Sequence, residues 1–158
     1  MKRVRRFVKV DRLTHRNRVQ PARVFRVRPD TDRPFHVEVR IAATRRRMRE
    51  EIGRLEGARA IESADCMGLV RSYYGKRTRR DAVIRPGGLV ARMFLNVRDL
   101  RKKPGEIVSH ECTHAGMAWA RLQRADLKRM PGEEVLCYAV GRLVAQVNRI
   151  GYAHGVWQ

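Results

Sequence analysis

His110-Glu111-Cys112-Thr113-His114, within the run Pro104 to Leu122, is the stretch whose reading decides the fold. It spells H-E-x-x-H. Two histidines four apart on a helix project the same way, one turn from each other. Both imidazoles can then bind one zinc ion, with Glu111 beside the metal as a base for an attacking water. The chain has only five histidines in 158 residues, so a shuffled copy would contain the pattern roughly once in a hundred. The plain alternative is a helix carrying two unconnected histidines.

Immediately upstream, Leu89, Ala91, Met93, Leu95 and Val97 alternate over nine residues and predict a strand. Pro104-Gly105-Glu106 then opens a helix, with proline at a tolerated first-turn position, and this helix carries the motif to about Leu122. A connection from Gln123 to Met130 leads to Pro131-Gly132 and a last helix from about Glu133 to Arg149. Toward the N-terminus, Phe35, Val37, Val39 and Ile41 alternate with His36, Glu38 and Arg40, which predicts a half-buried strand. Val4, Val8 and Val10, then Val24, Phe25 and Val27, suggest two earlier strands. A helix is expected from about Ala42 to Leu55, stopped by Gly57, with Met48, Ile52 and Leu55 on one face. Residues 67–75 and 81–85 read as short strands, and Pro86-Gly87-Gly88 as a turn. This order of strands, helix, strands, helix and helix gives an α+β class, with the N-terminal strands mostly antiparallel, in one domain over 1–158.

The formal net charge is +20. Residues 1–50 hold 17 Lys/Arg against 5 Asp/Glu, whereas residues 105–158 hold 6 against 5. The basic region, roughly 1–60, is thus largely separate from the histidine motif, and could contact nucleic acid phosphates or an acidic partner. Arginine outnumbers lysine 30 to 6, which a GC-rich genome also produces without selection for binding. No stretch approaches eighteen apolar residues, so no membrane span is expected. Met1-Lys2-Arg3-Val4-Arg5-Arg6 lacks the apolar run of a signal peptide, and the expected location is the cytoplasm of the cell or of a host. Three cysteines at irregular spacing give no disulfide framework.

A catalytic zinc needs three protein ligands and one open position. Positions 118 and 120 are both alanine, so no further histidine follows within two turns. Glu133 and Glu134 open the next helix, 19 and 20 residues after His114, and one of them is the expected third ligand. Glu133 projects nearer the apolar stripe of Leu136, Ala139, Val140, Leu143 and Val147. Glu134 heads the row Glu134, Cys137, Gly141, whose small residues would let the two helices approach closely. Glu134 is favoured, with Glu133 left open. Cys112 and Cys137 are expected to be small buried residues.

His110-Glu111-x-x-His114 followed by Glu134-x-x-Cys137 resembles the gluzincin group of zinc metallopeptidases. It is most similar to small phage-encoded or phage-derived members, including the ImmA/IrrE-like repressor-cleaving peptidases. The resemblance covers about residues 89–150. It implies a zincin-like core there, Zn²⁺ held by His110, His114 and Glu134, Glu111 as general base, and a protein or peptide substrate. It further implies that the strand Leu89–Val97 is an edge strand along which an extended peptide is held. His154 or Tyr152 are candidates to stabilise the oxyanion. Such families often place Asp or Asn four positions after the ligand glutamate, where this chain has Tyr138. SprT-like peptidases of DNA-associated proteins would unite the basic region with the motif, but Ala118 stands where their third histidine would be. The alternative reading is a basic nucleic-acid-binding protein in which zinc only ties two helices together.

Overall fold

A computed structural model describes residues 22–33, 35–62, 67–73 and 88–156. The expected strand at Val4–Val10, the one at 81–85, Pro86-Gly87 and Trp157 lie outside the described residues. Within them run β1 (Arg23–Val27), β2 (His36–Ala42), α1 (Arg45–Glu56), α2 (Ala58–Glu62), β3 (Gly68–Ser72), β4 (Leu89–Asn96), α3 (Val97–Leu100), α4 (Pro104–Leu122) and α5 (Met130–Ala153). The class is α+β.

The four described strands form one mixed sheet in the order β1-β2-β4-β3. β1 pairs antiparallel with β2, β2 parallel with β4, and β3 antiparallel with β4. The expectation of mostly antiparallel N-terminal strands therefore holds for β1 and β2, but the centre of the sheet is a parallel pair. A second expectation is corrected outright. β4 is not an edge strand: it lies between β2 and β3, and the edges among the described strands are β1 and β3. The physical reason is visible in its composition, since Phe94 is buried on one face while Ala91, Met93 and Leu95 are buried on the other. A strand apolar on both faces belongs inside a sheet.

Each face of the sheet is covered by helices. Val37, Val39, Ile41, Ala91, Met93 and Leu95 pack with residues of α4 and α5 in one large apolar core. On the other face Phe94 and Ala42 pack with Met48, Ile52 and Ala60 of α1 and α2. The remainder of that second face is ionic. Arg92 bridges Glu38 (2.7 Å) and Glu56 (2.8 Å), and Arg40 bonds to Glu38 (2.7 Å) and to Glu51. Tyr73 donates its hydroxyl to Glu56.

Local sequence explains the ends of the helices that frame the site. Thr44 caps α1, its hydroxyl accepting from the Arg47 N–H, and Gly57 closes it at φ +87°. Asn96 ends β4 and caps α3 by accepting from the Asp99 N–H at 3.0 Å, while its amide donates to Asp99 Oδ2 at 2.9 Å and to the Met67 carbonyl at 3.2 Å. Arg45 Nε reaches the same Asp99 carboxylate at 2.7 Å. Burial opposes ionisation of Asp99, yet these hydrogen bonds hold its carboxyl below its usual value. The strand–helix junction before α4 is thereby pinned to the sheet.

α4 keeps the expected bounds, with Pro104 in its first turn. α5 is longer than expected. Pro131-Gly132 lies inside its first turn rather than before it, and the helix continues past Arg149 to Ala153. Proline in the first turn has no helical hydrogen bond to lose, so it marks a beginning here and not a break.

Candidate metal and catalytic site

The rotation of α4 sorts its residues into three sides. Val108, Cys112, Ala115 and Trp119 are buried in the core. Glu111 is turned toward β3. His110 and His114 are exposed on the free side.

The two histidine rings converge. His110 Nε2 and His114 Nε2 stand 3.2 Å apart, with the rings edge-to-face at 80°. Two nitrogens each about 2.1 Å from a shared tetrahedral ion would be about 3.4 Å apart. The observed spacing fits that demand within a few tenths of an ångström, and also suits an N–H···N hydrogen bond between unlike tautomers.

Glu111 is 4% exposed, although it follows an exposed histidine. Burial pushes its carboxyl up to about 7. Its side chain lies against the first residue of β3. A Cβ on Gly68 would sit 2.8 Å from Glu111 Cγ and 2.8 Å from Oε1, closer than real side-chain contacts allow. Only glycine admits the carboxylate there. β3 is an edge among the described strands, so Glu111 lies against the margin of the described sheet rather than under its centre. This role of Gly68 was not foreseen; its sequence signal is a glycine opening a strand.

The other candidates fall elsewhere. Glu133 and Glu134 are both exposed in the first part of α5. Among the described residues no three His, Cys, Asp or Glu side chains form a group able to hold a metal ion. The structure thus joins His110 with His114 and turns Glu111, on the same stretch of α4, toward Gly68 of β3; among the described residues neither Glu133 nor Glu134 is gathered with the histidines into a metal-holding group.

The packing argument that favoured Glu134 is also corrected. Glu134, Cys137 and Gly141 are all exposed, and a Cβ on Gly141 would meet nothing within 4 Å. The close approach of the two helices occurs at Gly116, where a Cβ would come within 2.5 Å of Val140 Cγ2 and 3.3 Å of Leu136 Cδ1. The small residue that permits contact is on α4. The row on α5 faces solvent.

Tyr138 is exposed as well. Tyr152 is 69% exposed, and the His154 ring stacks on Phe25 at a centroid distance of 4.9 Å. Phe25 belongs to β1, the edge opposite β3. His154 therefore sits across the sheet from Glu111, and its backbone carbonyl accepts a hydrogen bond from Arg23 at 2.8 Å. Cys112 is buried as expected, and burial, then the Glu111 charge, pushes its thiol up to about 12. Cys137 is exposed, against expectation. A cavity of about 470 Å³ lies at the α4–α5 turn, lined by Trp119, Arg33, Gln123, Arg129 and Val135 among others, and includes no residue of the motif.

No described helix is long and apolar enough to cross a membrane. Compared with known protein families, with curated proteins and with solved structures, the chain matches none of them significantly.

Proposed function

We propose that the protein is a zinc-dependent peptidase with a zincin-like core, intracellular and phage-encoded in type, acting on a protein or peptide substrate. The observation that carries this reading is the 3.2 Å approach of the His110 and His114 Nε2 atoms with the buried carboxylate of Glu111 one residue on. Two ring nitrogens converging at the spacing of shared zinc ligands, on the helix turn that also carries a desolvated acid, is the arrangement that the peptidase reading needs.

His110 and His114 would hold the ion, and Glu134 is the proposed third ligand. A bound zinc ion would polarise a peptide carbonyl and make water a stronger acid. Glu111 would take a proton from the attacking water and deliver it to the leaving nitrogen. Gly68 positions that carboxylate by leaving space for it. The peptide-holding edge assigned from sequence to β4 passes in this proposal to β3, whose position at the edge of the described strands and contact with Glu111 suit an added antiparallel or parallel strand. Engaging Glu134 would require the first turn of α5 to draw toward the histidine pair.

The test is metal content by mass spectrometry together with cleavage of an unfolded protein substrate, on wild type, Glu111→Gln and Glu134→Ala. The expected result is one zinc per chain in wild type and in Glu111→Gln, with cleavage by the latter down by about 10²–10⁴-fold, and weakened zinc in Glu134→Ala. Equal zinc in all three with cleavage independent of Glu111 would sink the peptidase reading. It would favour instead a site that only ties helices together in a nucleic-acid-binding protein.

A further inference from the structure

The cavity of about 470 Å³ at the α4–α5 turn takes no part in the histidine site, and its chemistry is independent of the peptidase reading. Its size is that of a pocket for a small organic ligand. Trp119, Pro131 and Val135 supply an apolar floor. Trp119 is 3% exposed and its ring leans on Phe35 at a centroid distance of 5.4 Å, so the floor is anchored in the core.

One wall is shaped by backbone. Just past the end of α4, Arg124 takes the left-handed conformation at φ 57°, where glycine is the ordinary residue. The Arg124 N–H bonds to the Arg121 carbonyl at 3.0 Å and the Ala125 N–H to the Ala120 carbonyl at 2.9 Å. These paired bonds reverse the chain at the helix end. The turn then closes on the start of α5. A Cβ on Gly132 would lie 2.0 Å from the Asp126 carbonyl oxygen, so a larger residue could not stand there without moving the turn. A wall fixed in this way is in place before a ligand arrives, which lowers the ordering cost of binding.

The rim is polar and of mixed sign: Arg33 and Arg129 face Asp30 and Asp126 around the cavity. Both carboxylates are tied to their own turns. Asp30 Oδ1 accepts from the Asp32 N–H at 3.0 Å, and Asp126 Oδ1 accepts from the Lys128 N–H at 3.1 Å while its Oδ2 stands 3.4 Å from Arg129 Nε. Arg33 differs. Among the described residues it donates to the neutral Gln123 amide oxygen and bonds to no carboxylate. A guanidinium has five N–H donors in a planar fork, so Arg33 keeps donors that match a carboxylate. Two arginines against two aspartates leave the rim near neutral, which disfavours a multiply charged phosphate and suits a single negative charge placed at Arg33.

We propose that this cavity binds a carboxylate with an apolar body, its charge on Arg33 and its body on Trp119, Pro131 and Val135. Two sources share that chemistry, a small carboxylic acid and the C-terminal residue of a peptide.

The test titrates the full chain with 3-phenylpropionate, followed by amide shifts in NMR spectra. A dissociation constant of about 1 mM or tighter is expected for a ligand of this size. 3-Phenylpropanamide, which has the same body without the charge, is expected to bind about tenfold more weakly or worse. Arg33→Gln is expected to lose about as much for 3-phenylpropionate. Arg149→Gln, the same exchange at an exposed position toward the other end of α5, is expected to stay within about twofold of wild type. N-acetyl-phenylalanine separates the sources: tighter binding than 3-phenylpropionate identifies a peptide C-terminus, and equal or weaker binding a small acid. Thermal melts check folding, and Val135→Phe, which fills the floor and should also abolish binding, replaces Arg33→Gln if that variant unfolds. No saturable shift in wild type up to about 10 mM ligand, equal affinity for the amide, or equal losses in Arg33→Gln and Arg149→Gln would overturn the proposal.

Discussion

Carboxylates on the two faces of the sheet meet opposite fates. On the α1 side, burial alone would raise the Glu38 carboxyl, but hydrogen bonds from Arg40 and Arg92 hold it below its usual value, and Glu51 is lowered similarly by Arg54 and Arg40. On the α4 side, Glu111 meets an apolar core and is pushed up to about 7. All three are glutamates; among the described residues the difference is that arginines bond to Glu38 and Glu51 and none bonds to Glu111. Glu38 and Glu51 are structural anions, satisfied in place. Glu111 is an anion kept at a disadvantage, and such groups gather where proton transfer is needed.

The largest effect should come from breaking the apolar face. Leu95, fully buried in the main core and paired with Gly68 of β3, lies at its centre. Leu95→Ala is expected to cost about 3 kcal/mol, read as a lower urea midpoint with an unchanged slope. If the cost is below 1 kcal/mol, α4 and α5 do not depend on that face for their packing.

The ionic face is expected to respond differently to single and paired changes. Arg92→Met leaves Glu38 and Glu56 short of a partner and is expected to destabilise by about 2 kcal/mol. Adding Glu38→Met and Glu56→Met should recover most of that loss, since apolar replacement of a buried ion cluster is often neutral. A triple variant no more stable than the single one would show that the network is not mainly a balance of charges.

Between the faces lies Gly68. Gly68→Ala is expected to displace the Glu111 side chain and to cost about 1–3 kcal/mol from overpacking. Under the peptidase reading it should also lower kcat by tenfold or more while zinc content stays at the wild-type level. Unchanged activity would mean that Gly68 does not position the carboxylate.

The smallest effect is the pH dependence. Glu38, Glu51 and Asp99 all have lowered folded-state values, so their stabilisation is complete above their unfolded values near 4. It should be lost as pH falls from about 5 through their folded values. Thermal midpoints measured from pH 6 to pH 3 should therefore drop, and drop less in Arg92→Met, whose glutamates have lost part of that stabilisation. A parallel fall in both proteins would remove Arg92 from this account.

Much of the frame was legible in the sequence. β2 was read from the alternation of Phe35, Val37, Val39 and Ile41, and α4 from Pro104 through the histidine motif, because both patterns run long enough for their period to be unambiguous. The position of β4 inside the sheet was not read, although Phe94 already set a large apolar residue on its second face. Alternation drew attention to one face and hid the other. Placing α5's start at Glu133 took Pro131-Gly132 as punctuation, when proline also begins helices. The site was half legible. A pair of histidines and its glutamate are neighbours in sequence, so local periodicity places them. Gly68, Gly116 and the opposite-edge position of His154 depend on how distant segments meet, which no local pattern encodes.

The meeting of Gly116 with Val140 and Leu136 has a mechanical consequence. Side chains locked into a glycine notch resist sliding, so α5 is free to tilt on α4 more readily than to shift along it. Glu134 lies six residues from Val140, about 9 Å along the helix axis. A tilt of 10° about that fulcrum would carry its Cα by only about 1.6 Å on this arm. The notch at Gly116 thus acts as a hinge pin with a short lever, and it limits how far the start of α5 can swing without the helix itself bending.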